Sequence, residues 1–210
     1  MQAAFAYRLN HLSALFADSI LFRQERQTAA DIHTMNRTRL SRIDVYADPL
    51  NRQQGWLVAG PLRFRVSLGR AGITRQKREG DGATPAGCWR LLQAFTRKDG
   101  QRFGTNGLKT TPIRRSDGWC DDVTSPRYNQ PVPLPCKASH EEMWRKDHLY
   151  DVVIDSDWNR RPAVKGRGSA IFIHLRRHDG GPTAGCIALA PRDMRILWPR
   201  LGRRTRLIVH

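Results

Sequence analysis

Residues 171–189 constrain the fold more than any other stretch of the chain. They read Ile-Phe-Ile-His-Leu-Arg-Arg-His-Asp-Gly-Gly-Pro-Thr-Ala-Gly-Cys-Ile-Ala-Leu. An apolar run of β-formers ends at His174, a Gly/Pro loop follows, and a second short apolar run covers Ile187 to Leu189. This is the pattern of strand, loop, strand. It can bring an imidazole at one strand end beside a thiol at the start of the next. Such a pair is the minimum for acyl transfer through a thioester, in which the base takes the thiol proton and the sulfur attacks a carbonyl. Gly185 permits backbone angles a larger residue would resist, so the amides of residues 184 to 186 can converge on a developing oxyanion.

The rest of the chain reads as short strands. Ile43 to Tyr46, Gly55 to Ala59 and Leu62 to Leu68 are expected as strands, the last with Leu62, Phe64, Val66 and Leu68 on one face and Arg63, Arg65 and Ser67 on the other. Residues 69–87 hold five Gly and Pro85, so a long surface loop is expected before a strand over Cys88 to Leu92. Residues 98–137 are rich in turn formers, and within them Gly118 to Asp122 and Tyr128-Asn129 place aromatic and polar side chains on what reads as irregular backbone, where binding groups often sit. Ser139-His140-Glu141-Glu142 has the form of a capping box and predicts a helix through about His148. Strands over Tyr150 to Ile154 and Thr205 to Val209, and a helix opened by Pro191 and closed by Gly202, complete a mainly β domain with two or three short helices.

Residues 1–34 differ from this. Phe5, Leu9, Leu12, Phe16, Ile20 and Phe22 recur near the helical period, which predicts an amphipathic helix through about residue 27. Arg8, His11, Asp18 and Arg23 interrupt it as a membrane span, and Asp18 breaks the best signal-peptide core, so no export signal is visible. One reading takes Met35 as the initiator and residues 1–34 as a dispensable extension. The other takes the apolar stripe as a packing or membrane-surface helix.

Two motifs carry a family resemblance over residues 42–210. His174 followed by Thr183-Ala184-Gly185-Cys186-Ile187 resembles the His and Ser/Thr-x-Gly-Cys pattern of the YkuD-type L,D-transpeptidases, and Lys77-Arg78-Glu79-Gly80-Asp81-Gly82-Ala83-Thr84-Pro85-Ala86-Gly87 looks like the family's K-x-G-D-x-x-T-P-x-G turn. Ala184, Leu175 and Ala188 depart from residues common at these positions and mark a divergent subgroup. The resemblance implies a YkuD-like β-sandwich and a peptidoglycan L,D-transpeptidase. In that reading Cys186 forms a thioester with a tetrapeptide stem, His174 is the base, and an amine of another stem resolves the intermediate as a 3-3 or 1-3 link. Hydrolysis of the same acyl-enzyme would make it an L,D-carboxypeptidase. Thr183, Ala184 and Gly185 form the oxyanion loop, and Trp119, Asp122, Tyr128, Asn129 and Arg176 are candidates for substrate binding. The resemblance further implies peptidoglycan stems as partners, carbapenem β-lactams as inhibitors, no cofactor, and a place in the periplasm or cell envelope.

Other classes fit parts of the sequence. Thirty-six Lys and Arg against nineteen Asp and Glu give a net charge of +17, a field that attracts any polyanion, nucleic acid or acidic glycan-peptide alike. The basic residues are scattered, with no helix-turn-helix, zinc-finger or RNP signature, which argues against specific nucleic-acid recognition. A non-catalytic envelope-binding protein with the same fold is a further alternative. His178 is a rival base in the loop, and His174, His178 and Cys186 with Asp179 are the only approach to a metal site, without zinc-ligand spacing elsewhere. Cys88, Cys120 and Cys136 read as free thiols, with Cys120 and Cys136 able to pair in an oxidising compartment.

Overall fold

Three strands, β1 (Arg42–Asp48), β2 (Asn51–Ala59) and β3 (Leu62–Ser67), open the computed structural model, which describes residues 39–210. The N-terminal helix expected within residues 1–34 lies outside the described residues. The alternation in β3 buries Phe64 and Val66 and exposes Arg63, as a strand with one wet face requires. Ser67 is buried as well, because its hydroxyl donates to Gly180 O at 3.0 Å.

Residues 69–87 cross the surface as expected but carry two short strands, β4 (Ile73–Thr74) and β5 (Thr84–Pro85), paired in parallel. The turn between them is built on Asp81, whose carboxylate accepts from the amides of Arg78 and Ala83 at 2.8 Å each and pairs with Lys77 at 2.5 Å. Next come β6 (Gly87–Thr96), β7 (Thr110–Pro112), β8 (Asp117–Cys120), β9 (Pro131–Pro133), β10 (His140–Glu142), β11 (Val152–Ser156), β12 (Phe172–Leu175), β13 (Ile187–Leu189) and β14 (Arg206–Val209). A single α-helix among the described residues, α1 (Pro191–Leu197), buries Met194 and Leu197 and runs into a 3₁₀ turn, Trp198–Arg200.

The long strand β6 decides the topology. It pairs with β14 along Gly87 to Arg90 and with β11 along Leu91 to Thr96, so the order β11-β12-β13-β3-β2-β1-β14-β6 returns to its start, with β7 added on β6. Inward-facing residues of every strand in this ring, among them Ile43, Leu57, Val66, Leu91, Ile154, Ile173, Ile187 and Leu207, form one core with Met194, Leu197 and Trp198. The other face of β11 to β13 is covered by the separate sheet β10-β8-β9, and Trp119, Met143, Tyr150, Val153, Ala170, Phe172 and Cys186 form a second cluster there. Burial of a large aromatic side chain such as Trp119 or Phe172 stabilises by roughly 2–3 kcal/mol.

The helix predicted over residues 139–148 is absent. His140, Glu141 and Glu142 instead pair with Cys120, Trp119 and Gly118 of β8, and turns follow. The free edge of β8 satisfies this backbone, and a helix of two to three turns is too short to be stable without tertiary support that competes with that pairing. Likewise Gly118, Trp119 and Cys120, expected on irregular backbone, lie in β8. All four cysteines are free thiols; Cys120 is buried, Cys136 is half-buried and Cys88 is exposed.

Candidate active site

Strands β12 and β13 run in parallel, with Ile173 opposite Ile187 and His174 opposite Ala188. Ile173 and Ile187 face the inner core, so the flanking residues Phe172, His174, Cys186 and Ala188 share the opposite face. Strand spacing and rise put the α-carbons of His174 and Cys186 about 8 Å apart on that face, near enough for the side chains to meet. The strand-loop-strand pattern thus places the two groups as neighbours.

Each is held by main chain at present. The Cys186 thiol donates to Ala170 O at 3.1 Å and its sulfur accepts from Phe172 N at 3.3 Å. The imidazole Nδ1 of His174 lies 2.7 Å from Leu175 O, an oxygen that can only accept, so Nδ1 carries the hydrogen and Nε2 keeps its lone pair. Both side chains are buried, Cys186 at 6% exposure and His174 at 5%. Burial pushes the thiol up to about 12, the Glu141 charge adding to it and the Phe172 amide and Lys77 opposing. Burial likewise pulls the imidazole down to about 4, against the Leu175 carbonyl. At neutral pH the pair is therefore thiol and neutral imidazole.

Tyr150, read from sequence only as the start of a strand, packs its ring edge on His174 with centroids 5.0 Å apart and on Phe172 at 6.1 Å. Its hydroxyl donates to Glu141 Oε2 at 2.7 Å, and the guanidinium of Arg145 lies over its ring at 5.1 Å. Burial raises the Glu141 carboxyl, with the Tyr150 hydrogen bond and Arg145 opposing. A hollow of 490 Å³ lined by His140, Glu141, Glu142, Arg145, Lys146 and Asp147 opens above this cluster. A second groove of 520 Å³ is lined by Phe95, Ile113, Trp119, Val132 and Met143. Neither is lined by Cys186 or His174. Glu141 and Arg145 were hidden by the capping-box reading, and no periodicity links them to residues 174–186.

The loop before Cys186 is built by Thr183. Its hydroxyl donates to Cys186 O at 2.6 Å and accepts from Gly185 N at 3.1 Å, while its backbone bonds both ways to the strand end at Leu68 and Arg70. Gly185 has φ +144, and a β-carbon there would come within 2.8 Å of Ala83 O. The K-x-G-D-x-x-T-P-type turn therefore seats against the Gly-Cys loop. Ala184 is exposed.

Of the five residues expected to bind substrate, Trp119, Tyr128 and Asn129 are interior, each 2% exposed or less. Trp119 Nε1 donates to Asn129 Oδ1, and the Tyr128 hydroxyl donates to Glu79 Oε2. Asp122 is half-buried and accepts from the amide and hydroxyl of Thr124, shaping its own turn. Arg176 is half-buried beyond β12, its amide donating to Leu189 O. His178 sits exposed in the loop, and among the described residues no three His, Cys, Asp or Glu converge as metal ligands.

The model of the YkuD family, L,D-transpeptidase catalytic domain, matches residues 46–209. No curated protein matches the chain. Among solved structures, it is similar to L,D-transpeptidase 1 of Mycobacterium tuberculosis (11% identity, 80% of this chain and 60% of that chain, TM-score 0.36). It is also similar to an L,D-transpeptidase of Mycobacterium smegmatis (12% identity, 80% and 58%, TM-score 0.39). A third is L,D-transpeptidase 3 of Mycobacterium tuberculosis in complex with a faropenem-derived adduct (12% identity, 80% and 60%, TM-score 0.36). The chain spans about three fifths of the length of these structures.

Proposed function

Because the chain belongs to the YkuD family of L,D-transpeptidase catalytic domains, we propose that it is a peptidoglycan L,D-transpeptidase with Cys186 as nucleophile and His174 as base. The observation that carries this is the placement of His174 and Cys186 on one face of adjacent parallel strands, with Nε2 of the imidazole left as the acceptor.

The thiol must first turn from Ala170 O towards His174. Nε2 then takes the proton as sulfur attacks the carbonyl of the L-centre of a diaminopimelate residue, so that no free thiolate has to persist in this buried setting. The thioester forms as the bond to D-alanine breaks, and the imidazolium returns the proton to the departing amine. An amine of a second stem attacks the thioester, His174 accepts its proton, and the thiol is regenerated with a new amide. With water in place of the amine, the product is a trimmed stem and a carboxylate. Since Thr183 Oγ1 occupies the Gly185 amide, the oxyanion falls to the amides of Ala184 and Cys186. In the hollow beside Glu141, Arg145 and Lys146 offer cations to stem carboxylates, set among the acids Glu142 and Asp147. This assigns the protein to the periplasm or cell envelope, where that substrate lies, and carbapenems, which present an activated carbonyl, would acylate the same sulfur.

Incubation with disaccharide-tetrapeptide or a carbapenem, read by mass spectrometry, tests the proposal. An adduct on Cys186, absent in Cys186→Ala, is expected, and the products separate a 3-3 link, a 1-3 link and hydrolysis. The burial of the thiol is also what a non-catalytic envelope binder would show. No adduct under any condition, with binding to peptidoglycan retained in Cys186→Ala, would establish that reading instead.

A further inference from the structure

The carbonyl that receives the thiol hydrogen belongs to an unusual residue. Ala170 has φ +51, the left-handed region that a residue with a β-carbon rarely occupies. It does not hold that conformation alone. Its amide donates to Asn129 Oδ1 at 3.1 Å, in the interior.

Asn129 is itself fixed on every side. Oδ1 also accepts from Trp119 Nε1 at 3.0 Å, and Nδ2 donates to Trp158 O at 3.1 Å and Asn159 O at 2.7 Å. Its amide donates to Cys120 O at 2.8 Å, its carbonyl accepts from Arg160 Nη1, and it is 2% exposed with φ +56, a conformation asparagine tolerates better than most residues. Three other segments thus meet on one carboxamide, at Trp119, at Trp158 and Asn159, and at Ala170. The side chain is too enclosed to touch a substrate, yet it stands one residue from the reacting sulfur, through the sequence Asn129 Oδ1 to Ala170 N–H, and Ala170 C=O to Cys186 Sγ–H.

We propose that Asn129 is a positioning residue for Cys186: by holding Ala170 in its left-handed conformation it fixes the carbonyl on which the thiol rests, and so sets where the sulfur starts when it turns to His174. The inference rests on Cys186 being the nucleophile, but its first readout does not need transpeptidation. A carbonyl accepting from S–H stabilises the neutral thiol and repels the anion. When the carboxamide is lost, Ala170 relaxes, the carbonyl swings away, and the sulfur both ionises more readily and loses its alignment.

The test is the pH dependence of Cys186 alkylation by iodoacetamide, together with the acylation rate by a carbapenem, in folded protein. Other thiols are accounted for by peptide mapping. In Asn129→Ala the alkylation midpoint moves to lower pH, and acylation slows about tenfold or more with little change in the concentration for half-saturation. Glycine occupies the left-handed region freely, so adding Ala170→Gly to Asn129→Ala restores both readouts. A folded Asn129→Ala with the wild-type alkylation profile overturns the proposal. If Asn129→Ala does not fold, the double variant decides: a wild-type profile supports the proposal, while a shifted profile, or failure of the double variant to fold, shows that Asn129 acts otherwise than through Ala170. Loss of carbapenem acylation in the wild type with the alkylation shift intact would count against the proposed function and leave this inference standing.

Discussion

His174 and Cys186 are each kept uncharged by burial, and this has a measurable effect on stability. The folded-state pKa of His174 is pulled down to about 4 from the usual imidazole value of 6.5, so between these limits the unfolded chain binds the proton first. Its contribution is complete above about pH 6.5 and is lost as pH falls towards 4, on the order of 3 kcal/mol in all. Asp155 works in the opposite sense over much of the same range. Burial raises it to about 6 against the pull of Arg160, so its contribution is complete below about 3.8 and is lost as pH rises through 6. The wild-type curve alone mixes the two. The difference in unfolding free energy between wild type and His174→Gln isolates the imidazole, and is expected to shrink as pH drops from 7 to about 4. Parallel curves across that window would show that the imidazole is not buried as described.

At the scale of elements, the site depends on how the loop before β13 seats against the β4–β5 turn. In Gly185→Ala the new methyl would meet Ala83 O at 2.8 Å at a φ of +144, so the loop must shift or the fold must strain. The expected loss is about 2–3 kcal/mol in denaturant unfolding, with acylation of Cys186 slowed even where the variant folds. Thr183→Val removes the hydroxyl that joins Gly185 N to Cys186 O and is expected to cost about 1–2 kcal/mol, whereas Thr183→Ser retains both bonds and most of the stability. Equal behaviour of the valine and serine variants would remove the hydroxyl from the account. Elements also show where local signals mislead. The capping box at Ser139 is a genuine local pattern, but the open edge of β8 captures the same residues as a strand and lays Glu141 beside Tyr150.

Across the whole molecule, thirty-six Lys and Arg against nineteen Asp and Glu leave more cations than acids can pair. Lys109, Arg161 and Arg203 line a groove of 590 Å³ with Arg90 and Asp157, and none of the three is ion-paired among the described residues. Retention on purified peptidoglycan is therefore expected to fall steeply as salt rises past 0.1 M, where the screening length is about 10 Å. Reversing Lys109, Arg161 and Arg203 should weaken it more than reversing three arginines elsewhere on the surface. Equal losses would mean that only net charge matters.

The strands and the loop that joins His174 to Cys186 were legible in the sequence, because period-two alternation and turn-forming residues are local properties. What the sequence determined by itself is thus the mainly β class and the order of motifs that names His174 and Cys186 as the proposed pair. Only the tertiary structure decided that β6 closes the sheet, that Trp119, Tyr128 and Asn129 turn inward, and that Tyr150 packs on His174 and Ala170 accepts from Cys186. The physical reason is that burial and hydrogen-bond partnership belong to contacts between distant segments. Asn129 and Ala170 are 41 residues apart, and nothing in the neighbourhood of either along the chain encodes the other.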